Sequence, residues 1–265
     1  IGIYLSGNTI GGMSGRILSL MISGYSNWQV AVLSVGILCL ILGFVFSFIF
    51  PTSKHFEPQK QSIGSKLSMM RIFIKDRYLL GIFFIGFSVM GIFVSIYNYL
   101  SFRLEGEPFN LPHSIIASVF LLYIIGVWGS IKAGKWSDKY SSKQIIWMNI
   151  STVLIGLLLM IFENLPILII GLVLMTFGFF ATHTLASRLV SQRAPVGKST
   201  ATCLYFLFYY TGSSVIGSTS GKVLSHYQWN GFIISLVIIA FLMLITAFWL
   251  KFHKPKNLHL YHIQK

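Results

Sequence analysis

The chain of 265 residues is 55% hydrophobic and 10% charged, with a mean hydropathy of +0.76. This composition excludes a soluble globular domain of such length. The net charge of +14 suggests nucleic acid at first sight, but the basic residues are confined to short segments between long apolar stretches. Because that distribution is typical of membrane topology, we expect no nucleic-acid partner.

Eight apolar stretches are long enough to cross a bilayer, for which a helix needs about 20 residues. Lipid cannot hydrogen-bond to the backbone, so each stretch is predicted to be a helix. The fold class is therefore an all-α integral membrane bundle with eight transmembrane helices. The predicted spans are 1–23, 29–50, 78–100, 112–132, 144–163, 166–187, 200–221 and 230–250.

The basic residues also predict the orientation. Seventeen of the twenty Lys and Arg residues lie in four segments that alternate with nearly uncharged ones. With eight spans, every basic segment falls on one side, which the positive-inside rule makes the cytoplasm of a plasma (inner) membrane. Both chain ends are then cytoplasmic. Trp28 and Trp229 precede spans on the outer side, where tryptophans gather at the membrane interface.

The longest polar stretch divides the spans two against six. Its second part carries apolar residues at helical spacing, which predicts a basic amphipathic helix in the headgroup region; these residues are Ile63, Leu67, Met70 and Ile74. The predicted organisation is the last two helices of a first bundle (1–51), a cytoplasmic linker (52–77), a six-helix bundle (78–251) and a cytoplasmic tail (252–265).

No pattern of catalytic or metal-binding residues is present. Cys39 and Cys203 lie at different predicted depths, and no Cys/His group has metal-ligand spacing. A membrane enzyme would need a nucleophile, a base or metal ligands that converge at one depth. We therefore expect neither an enzyme nor a cofactor or metal site.

The loop after span 112–132 reads Gly-Lys-Trp-Ser-Asp-Lys-Tyr-Ser-Ser-Lys from residue 134 to 143. Its one acid, Asp138, can cap a helix N-terminus or pair with a cationic side chain, and a conformational change can make or break either contact. The alternative is a solvated turn.

This loop resembles the Gly-x-x-x-Asp-Arg-x-Gly-Arg-Lys loop of the major facilitator superfamily, in particular of its twelve-helix bacterial efflux branch. The loop joins the second and third helices of each half in that family, and the resemblance implies a gating motif. The matching residues are Gly134, Asp138, Lys139 (in place of Arg) and Lys143. Ser141 and Ser142 stand where the family prefers Gly and Arg.

The start of the chain resembles the glycine-rich signature of the family's fifth helix, typical of its antiporters, but without the usual proline. Small residues four apart share one face and allow close helix approach, or mark a generic helix contact. This helix-packing motif comprises Gly7, Gly11, Gly12 and Gly15. If span 1–23 is the fifth helix, span 112–132 is the eighth, as the loop motif requires. The resemblance implies a fragment, opening at Ile1, that covers helices 5–12.

Polar residues within the spans are candidates for a substrate cavity. Arg16, costly in lipid, is expected to face a cavity or a partner, or to reach the outer interface. Tyr205 and Tyr209 share a helix face and either wall a cavity or pack between helices. His183 either carries a proton or hydrogen-bonds a neighbouring helix. The candidate cavity residues are Asn8, Arg16, Tyr97, Asn98, His183, Tyr205 and Tyr209.

The resemblance implies a secondary transporter that is a monomer when complete. It would export small organic molecules in exchange for protons by rocking two six-helix bundles about a site near mid-membrane. The expected partners are a small-molecule substrate, protons and membrane lipid. No Asp or Glu lies in the middle of a span, so the coupling residues are expected elsewhere. The alternative function is a non-transporting remnant or an interaction protein derived from a transporter.

The topology is testable by cysteine labelling. After Cys39→Ser and Cys203→Ser, a cysteine at Lys60 should react with a membrane-impermeant maleimide only in opened cells, because the linker is predicted to be cytoplasmic. A cysteine at Glu107, on the predicted outer side, is the matched control and should react in intact cells. Labelling of the Lys60 cysteine in intact cells would contradict the topology.

Overall fold

A computed structural model describes residues 2–51 and 62–252. Ten helical elements and short turns account for these residues, and no strand occurs among them. Linker residues 52–61, among them Lys60, and tail residues 253–265 lie outside the described part. The helices are α1 (Gly2–Tyr25), α2 (Trp28–Ile49), α3 (Ile63–Lys75), α4 (Arg77–Glu105), α5 (His113–Val119), a 3-10 turn (Phe120–Leu122), α6 (Tyr123–Lys139), α7 (Ser142–Leu159), α8 (Leu165–Arg193) and α9 (Lys198–Phe252).

Each predicted span coincides with a helical segment. The span at 112–132 corresponds to α5, the 3-10 turn and α6 together. The last two spans lie in α9, which Gln228 breaks with a φ of 56° and a ψ of −168°; we call its two parts α9a (198–227) and α9b (229–252). Six helical segments are long and apolar enough to cross a membrane, α9 with 55 residues being one. The 24-residue α1, rich in Gly and Ser, is not among them. The all-α membrane bundle is confirmed.

The helices from α4 onward form a bundle whose first half is α4 to α7 and whose second half is α8, α9a and α9b. The main contacts of α4 and of α8 are with helices of the other half. Helix α4 packs against α9a, where Phe83 stacks on Phe208 at 5.3 Å between ring centroids, and against α9b, where Gly81 faces Leu250. Helix α8 packs in the same way against α6 and α7. Each of these two long helices thus contacts two helices from the other half of the bundle. This exchange is what two inverted three-helix units give.

Glycines allow the closest crossings. A Cβ atom on Gly212 of α9a would overlap the carbonyl oxygen of Phe87 in α4, and one on Gly91 would lie 2.9 Å from the carbonyl oxygen of Gly212. The crossing of α7 and α8 repeats this arrangement, because a Cβ on Gly156 would lie 2.6 Å from the carbonyl oxygen of Gly171. Helices in lipid associate through such close packing rather than through the hydrophobic effect.

Buried hydrogen bonds join the same helices. The Ser220 hydroxyl in α9a donates to the Ser95 hydroxyl in α4 at 2.9 Å. The hydroxyls of Tyr97 in α4 and Thr176 in α8 are 2.8 Å apart and hydrogen-bonded. Polar groups that find partners across a helix interface fix the rotation of each helix about its axis.

Helices α1 and α2 lie outside this bundle. Helix α1 packs against α2, α5 and α6, and Gly24 approaches His113 at the start of α5. Among the described helices, α2 packs against α1 alone, and Ala31 is its one buried residue. The two-against-six division of 1–51 and 78–251 stays a prediction, and this packing is compatible with it.

The linker helix α3 contacts the bundle through a face other than the one predicted. Met69 and Phe73 are buried against the turn at Gly197, between α8 and α9. Leu67 and Ile74, on the predicted face, are exposed. The sequence pattern therefore found an apolar face open to the surroundings and missed the one that docks on the bundle.

The two tryptophans that were predicted to lie at the membrane interface differ in their exposure. Trp28 is 68% exposed, but Trp229 is only 5% exposed, and its indole N–H donates to the carbonyl oxygen of Met160 at 2.7 Å. Placing Trp229 in an aromatic belt was therefore wrong. The break at Gln228 turns the Trp229 side chain into the bundle, where its N–H satisfies a carbonyl at the end of α7.

We predict that Gly212→Ala destabilises the bundle by about 1–3 kcal/mol, because the new methyl group meets backbone atoms that cannot rotate away. Gly36→Ala in α2 is the matched control, since a Cβ there meets nothing within 4 Å. Unfolding by denaturant in detergent, followed by tryptophan fluorescence, measures both. Equal stability of the two variants would contradict this prediction, because it would show that α4 and α9a can move apart to accommodate the methyl group without loss of stability.

Candidate functional site

A cavity of about 560 Å³ lies between α1, α4 and the 3-10 turn. Arg16 of α1 donates from Nη1 to the carbonyl oxygen of Tyr97 at 3.0 Å and from Nη2 to Oδ1 of Asn98 at 2.9 Å. Its guanidinium carbon also lies 5.8 Å from the centre of the Phe120 ring. The cavity is lined by Gly11, Gly12, Gly15, Arg16, Ser19, Leu20, Val35, Tyr97, Asn98, Ser101 and Phe120.

Arg16 has no acidic partner among the described residues. The described ion pairs lie at the helix ends and join Arg103 to Glu163, His113 to Glu105, Arg188 to Asp138 and Arg193 to Asp76. Both acceptors that face Arg16 are neutral oxygens. The cavity therefore carries a positive charge that the described chain does not compensate.

An aromatic cluster fills the bundle behind the cavity. Phe93 stacks on Phe179 with ring centroids 3.9 Å apart, and the ring centroids of His183 and Tyr209 are 4.6 Å apart. His183 Nδ1 and the Tyr205 hydroxyl are hydrogen-bonded at 2.9 Å. Of the predicted cavity residues, Arg16, Tyr97 and Asn98 meet at the cavity. His183, Tyr205 and Tyr209 are instead buried in this cluster between α8 and α9a, where the tyrosines pack between helices and His183 hydrogen-bonds to the neighbouring helix.

We call the end of the bundle that holds the α3/α4, α6/α7 and α8/α9 junctions the basic end. Arg188 of α8 donates there from Nη1 to Asp138 Oδ1 at 2.7 Å and to the Ser137 hydroxyl at 2.6 Å. The pair is accessible, with 38% of the Arg188 side chain and 66% of the Asp138 side chain exposed. Of the two partner types predicted for Asp138, a basic side chain is the one observed.

A second pair at the basic end is buried. Asp76 caps α4 by accepting from the backbone N–H groups of Tyr78 and Leu79, and its other oxygen accepts two bonds from Arg193, at 2.9 and 2.6 Å. The Asp76 side chain is 8% exposed. Lys143, from the predicted gating motif, places Nζ 5.0 Å from the centre of the Tyr78 ring. This pair ties the start of α4 to the end of α8.

The opposite end of the bundle has its own anchor. Arg103 of α4 pairs with Glu163 at 3.0 Å and lies over the rings of Phe109 and Trp229, at 5.2 and 5.9 Å from their centres. It also donates to the backbone carbonyl of Glu107. Arg103 thus joins α4 to the α7/α8 turn and to the break in α9.

The remaining predicted residues make few contacts. Lys139 is exposed, and a Cβ on Gly134 would meet nothing within 4 Å. The same holds for Gly7, Gly11 and Gly15, and one on Gly12 would meet Tyr123 only at 4.0 Å. The close helix contact predicted for this glycine face is not found among the described residues and stays a prediction. The side chain of Asn8 lies outside the described part.

Sequence reasoning missed the arginines that hold the helix ends. Arg188 and Arg193 were counted as topological charge and Arg103 was given no role, although each pairs with one of the few acids of the chain. Only six acidic residues face twenty basic ones. That scarcity was the available signal, because a rare acid among many bases is expected to have a partner.

A multi-pass helical bundle with a charged cavity between its helices and ion pairs at its ends has the architecture of a membrane transporter. The chain belongs to the Major Facilitator Superfamily, whose family model matches residues 1–218.

Three relatives, all transporters by name, illustrate the relation. The uncharacterized MFS-type transporter YybF of Bacillus subtilis (strain 168) is 38% identical over 251 residues, 94% of this chain and 61% of that protein. The uncharacterized transporter BU588 of Buchnera aphidicola subsp. Acyrthosiphon pisum (strain APS) is 38% identical over 97% of this chain and 63% of its own. The inner membrane transport protein YnfM of Escherichia coli (strain K12) is 37% identical over 92% of this chain and 59% of its own. The chain spans about three-fifths of the length of these relatives.

The two acids of the basic end should differ in their effect on stability. Asp76→Asn keeps a helix-capping side chain but removes the negative charge that pairs with the buried Arg193. We expect the free energy of unfolding to fall by about 3–5 kcal/mol. Asp138→Asn breaks an exposed pair and should cost about 0–1 kcal/mol. Denaturant unfolding of both variants in detergent measures this contrast. Equal losses would mean that burial does not distinguish the two pairs.

Proposed function

We propose that this chain is the larger part of a secondary transporter that exports a small organic molecule by alternating access. The observation that carries the proposal is the position of the Arg16 cavity. It lies between α1, outside the bundle, and helix α4 and the 3-10 turn of the bundle. Alternating access requires a site at the junction of two bodies that rock against each other.

The basic end is proposed to face the cytoplasm. The α3/α4, α6/α7 and α8/α9 junctions, which carry most of the described Lys and Arg residues, meet at this end. The positive-inside rule favours the cytoplasm for such segments. Both chain ends are then cytoplasmic, in an inner membrane.

The Asp138–Arg188 pair is proposed as a cytoplasmic gate. An exposed ion pair contributes about 0–1 kcal/mol, so Asp138 can change partners at little cost. The buried Asp76–Arg193 pair beside it has the opposite character and holds α4 and α8 together throughout the cycle. A gate needs an ion pair that can break, here Asp138–Arg188, and a contact that stays intact and keeps the helices in place, here Asp76–Arg193.

Proton coupling is proposed from the resemblance to the family's efflux branch. The spans hold no central carboxylate, and His183 is packed against Tyr205 in the buried aromatic cluster, so the coupling groups are expected outside these spans. Export of a fluorescent dye from everted vesicles, abolished by a protonophore, would support the coupling. Transport that survives the protonophore would contradict it.

The gate is testable in the native gene product. Asp138→Asn and Arg188→Gln should each slow transport by up to about fivefold, because an exposed pair contributes at most about 1 kcal/mol and that energy shifts a balanced equilibrium by this factor. The amount of protein in the membrane should not change. The charge exchange Asp138→Arg with Arg188→Asp should restore part of the rate.

Lys135→Gln is the matched control, because Lys135 is exposed beside the same loop and lies outside the pair. It should transport at the parental rate. Parental rates for Asp138→Asn at equal expression would mean that Asp138 does not gate, and no transport by the parental protein of any dye or metabolite tested would contradict the transporter itself.

A further inference from the structure

We propose that the Arg16 cavity binds the carboxylate of a small organic monoanion whose apolar body lies against Phe120. This inference rests on the proposed function, since it assigns a substrate class to the cavity at the helix junction. It is argued from the charge, hydrogen bonding and lining of the cavity.

The first step concerns charge. Arg16 lies nine residues before the end of α1 at Tyr25, or about 13 Å along the helix. All six acidic residues of the chain fall outside the centres of the spans, and four of the five described ones are ion-paired at the helix ends. Charged residues in membrane helices pair with other side chains or with backbone carbonyls, or face a water-filled cavity. Arg16 bonds to a carbonyl and to an amide oxygen, but the described chain supplies no anion to neutralise its charge.

The second step concerns hydrogen bonds. A guanidinium carries five N–H groups, and the described structure uses one from each of Nη1 and Nη2. Asn98 must present Oδ1 to Arg16, so its Nδ2 amide remains free to donate. The hydroxyls of Ser19 and Ser101 line the same cavity. Donors around one cation are the recognition set for a carboxylate.

The third step concerns size and polarity. A volume of about 560 Å³ suits a small organic molecule, and Phe120, Leu20 and Val35 supply an apolar wall. Glycines at positions 11, 12 and 15 let a ligand approach the α1 backbone. Because the described lining holds a single cation, one negative charge is matched and a second would be left uncompensated. A monocarboxylate is therefore favoured over a phosphate dianion.

Arg16 also ties α1 to α4, so the test must separate binding from support. Asn98→Asp does so, because its carboxylate would keep and strengthen the tie while neutralising the cavity. A purely supporting Arg16 tolerates this change, and an anion-binding Arg16 does not. Lys222→Gln, at an exposed position of α9a outside the cavity lining, is the matched control for loss of one positive charge.

The experiment is calorimetric titration of the chain in lipid nanodiscs with benzoate, with the isosteric neutral benzamide and with inorganic phosphate. We expect benzoate to bind at least tenfold more tightly than either of the others. Arg16→Gln and Asn98→Asp should each weaken benzoate at least tenfold, Arg16→Lys should retain part of the affinity, and Lys222→Gln should bind as the parent does.

Equal affinity for benzoate and benzamide, or unchanged benzoate binding by Asn98→Asp, would overturn the inference. Preference for phosphate would overturn the monoanion assignment. Dye or metabolite transport by the native gene product separates the two proposals. Transport without benzoate binding leaves the transporter and removes the anion site, whereas benzoate binding without any transport leaves the site and removes the transporter.

Discussion

The crossing of α4 over α9a at Gly91 and Gly212 is the contact on which the other sites depend. In lipid, water cannot drive two helices together, so a crossing this close relies on backbone-to-backbone packing. It fixes the height and rotation of α4. Helix α4 in turn presents Asp76 at the basic end, Tyr97 and Asn98 at the cavity, and Arg103 at the opposite end. A shift of α4 would therefore move every charged contact at once.

Charge is distributed in three ways along the bundle. At the ends, scarce acids are paired with arginines, one pair buried and others accessible to solvent. In the interior, neutral hydrogen bonds such as Tyr97–Thr176 and Ser95–Ser220 join the helices. Arg16 alone among the arginines lies deep in a helix and faces neutral oxygens. Ion pairs thus neutralise the charges at the helix ends, whereas the charge of Arg16 in the interior is not neutralised by the described chain. A site for a charged ligand requires such an interior charge.

Much of the fold followed from the sequence, and some contacts did not. Length and apolarity located a helical segment at each predicted span, with starts within two residues and ends that differ by up to seven, because the thickness of the bilayer sets the apolar length and not the full length of the helix. The same reasoning placed Trp229 at the lipid interface, and it did not identify Met69 and Phe73 as the residues of α3 that pack against the bundle. The error and the omission have one cause. Apolar or aromatic character shows that a residue avoids water, but not whether lipid or protein covers it.

The sequence by itself determined the membrane class, the approximate positions of the helices and the family, since these depend on local composition and short motifs. It also singled out Arg16, Tyr97, Asn98 and Asp138. Only the tertiary structure decided that Arg16 meets Tyr97 and Asn98, and that Asp138 meets Arg188, because each pair joins residues 50 or more positions apart. Which faces turn toward each other is set by the sum of the helix crossings. No single helix carries that information.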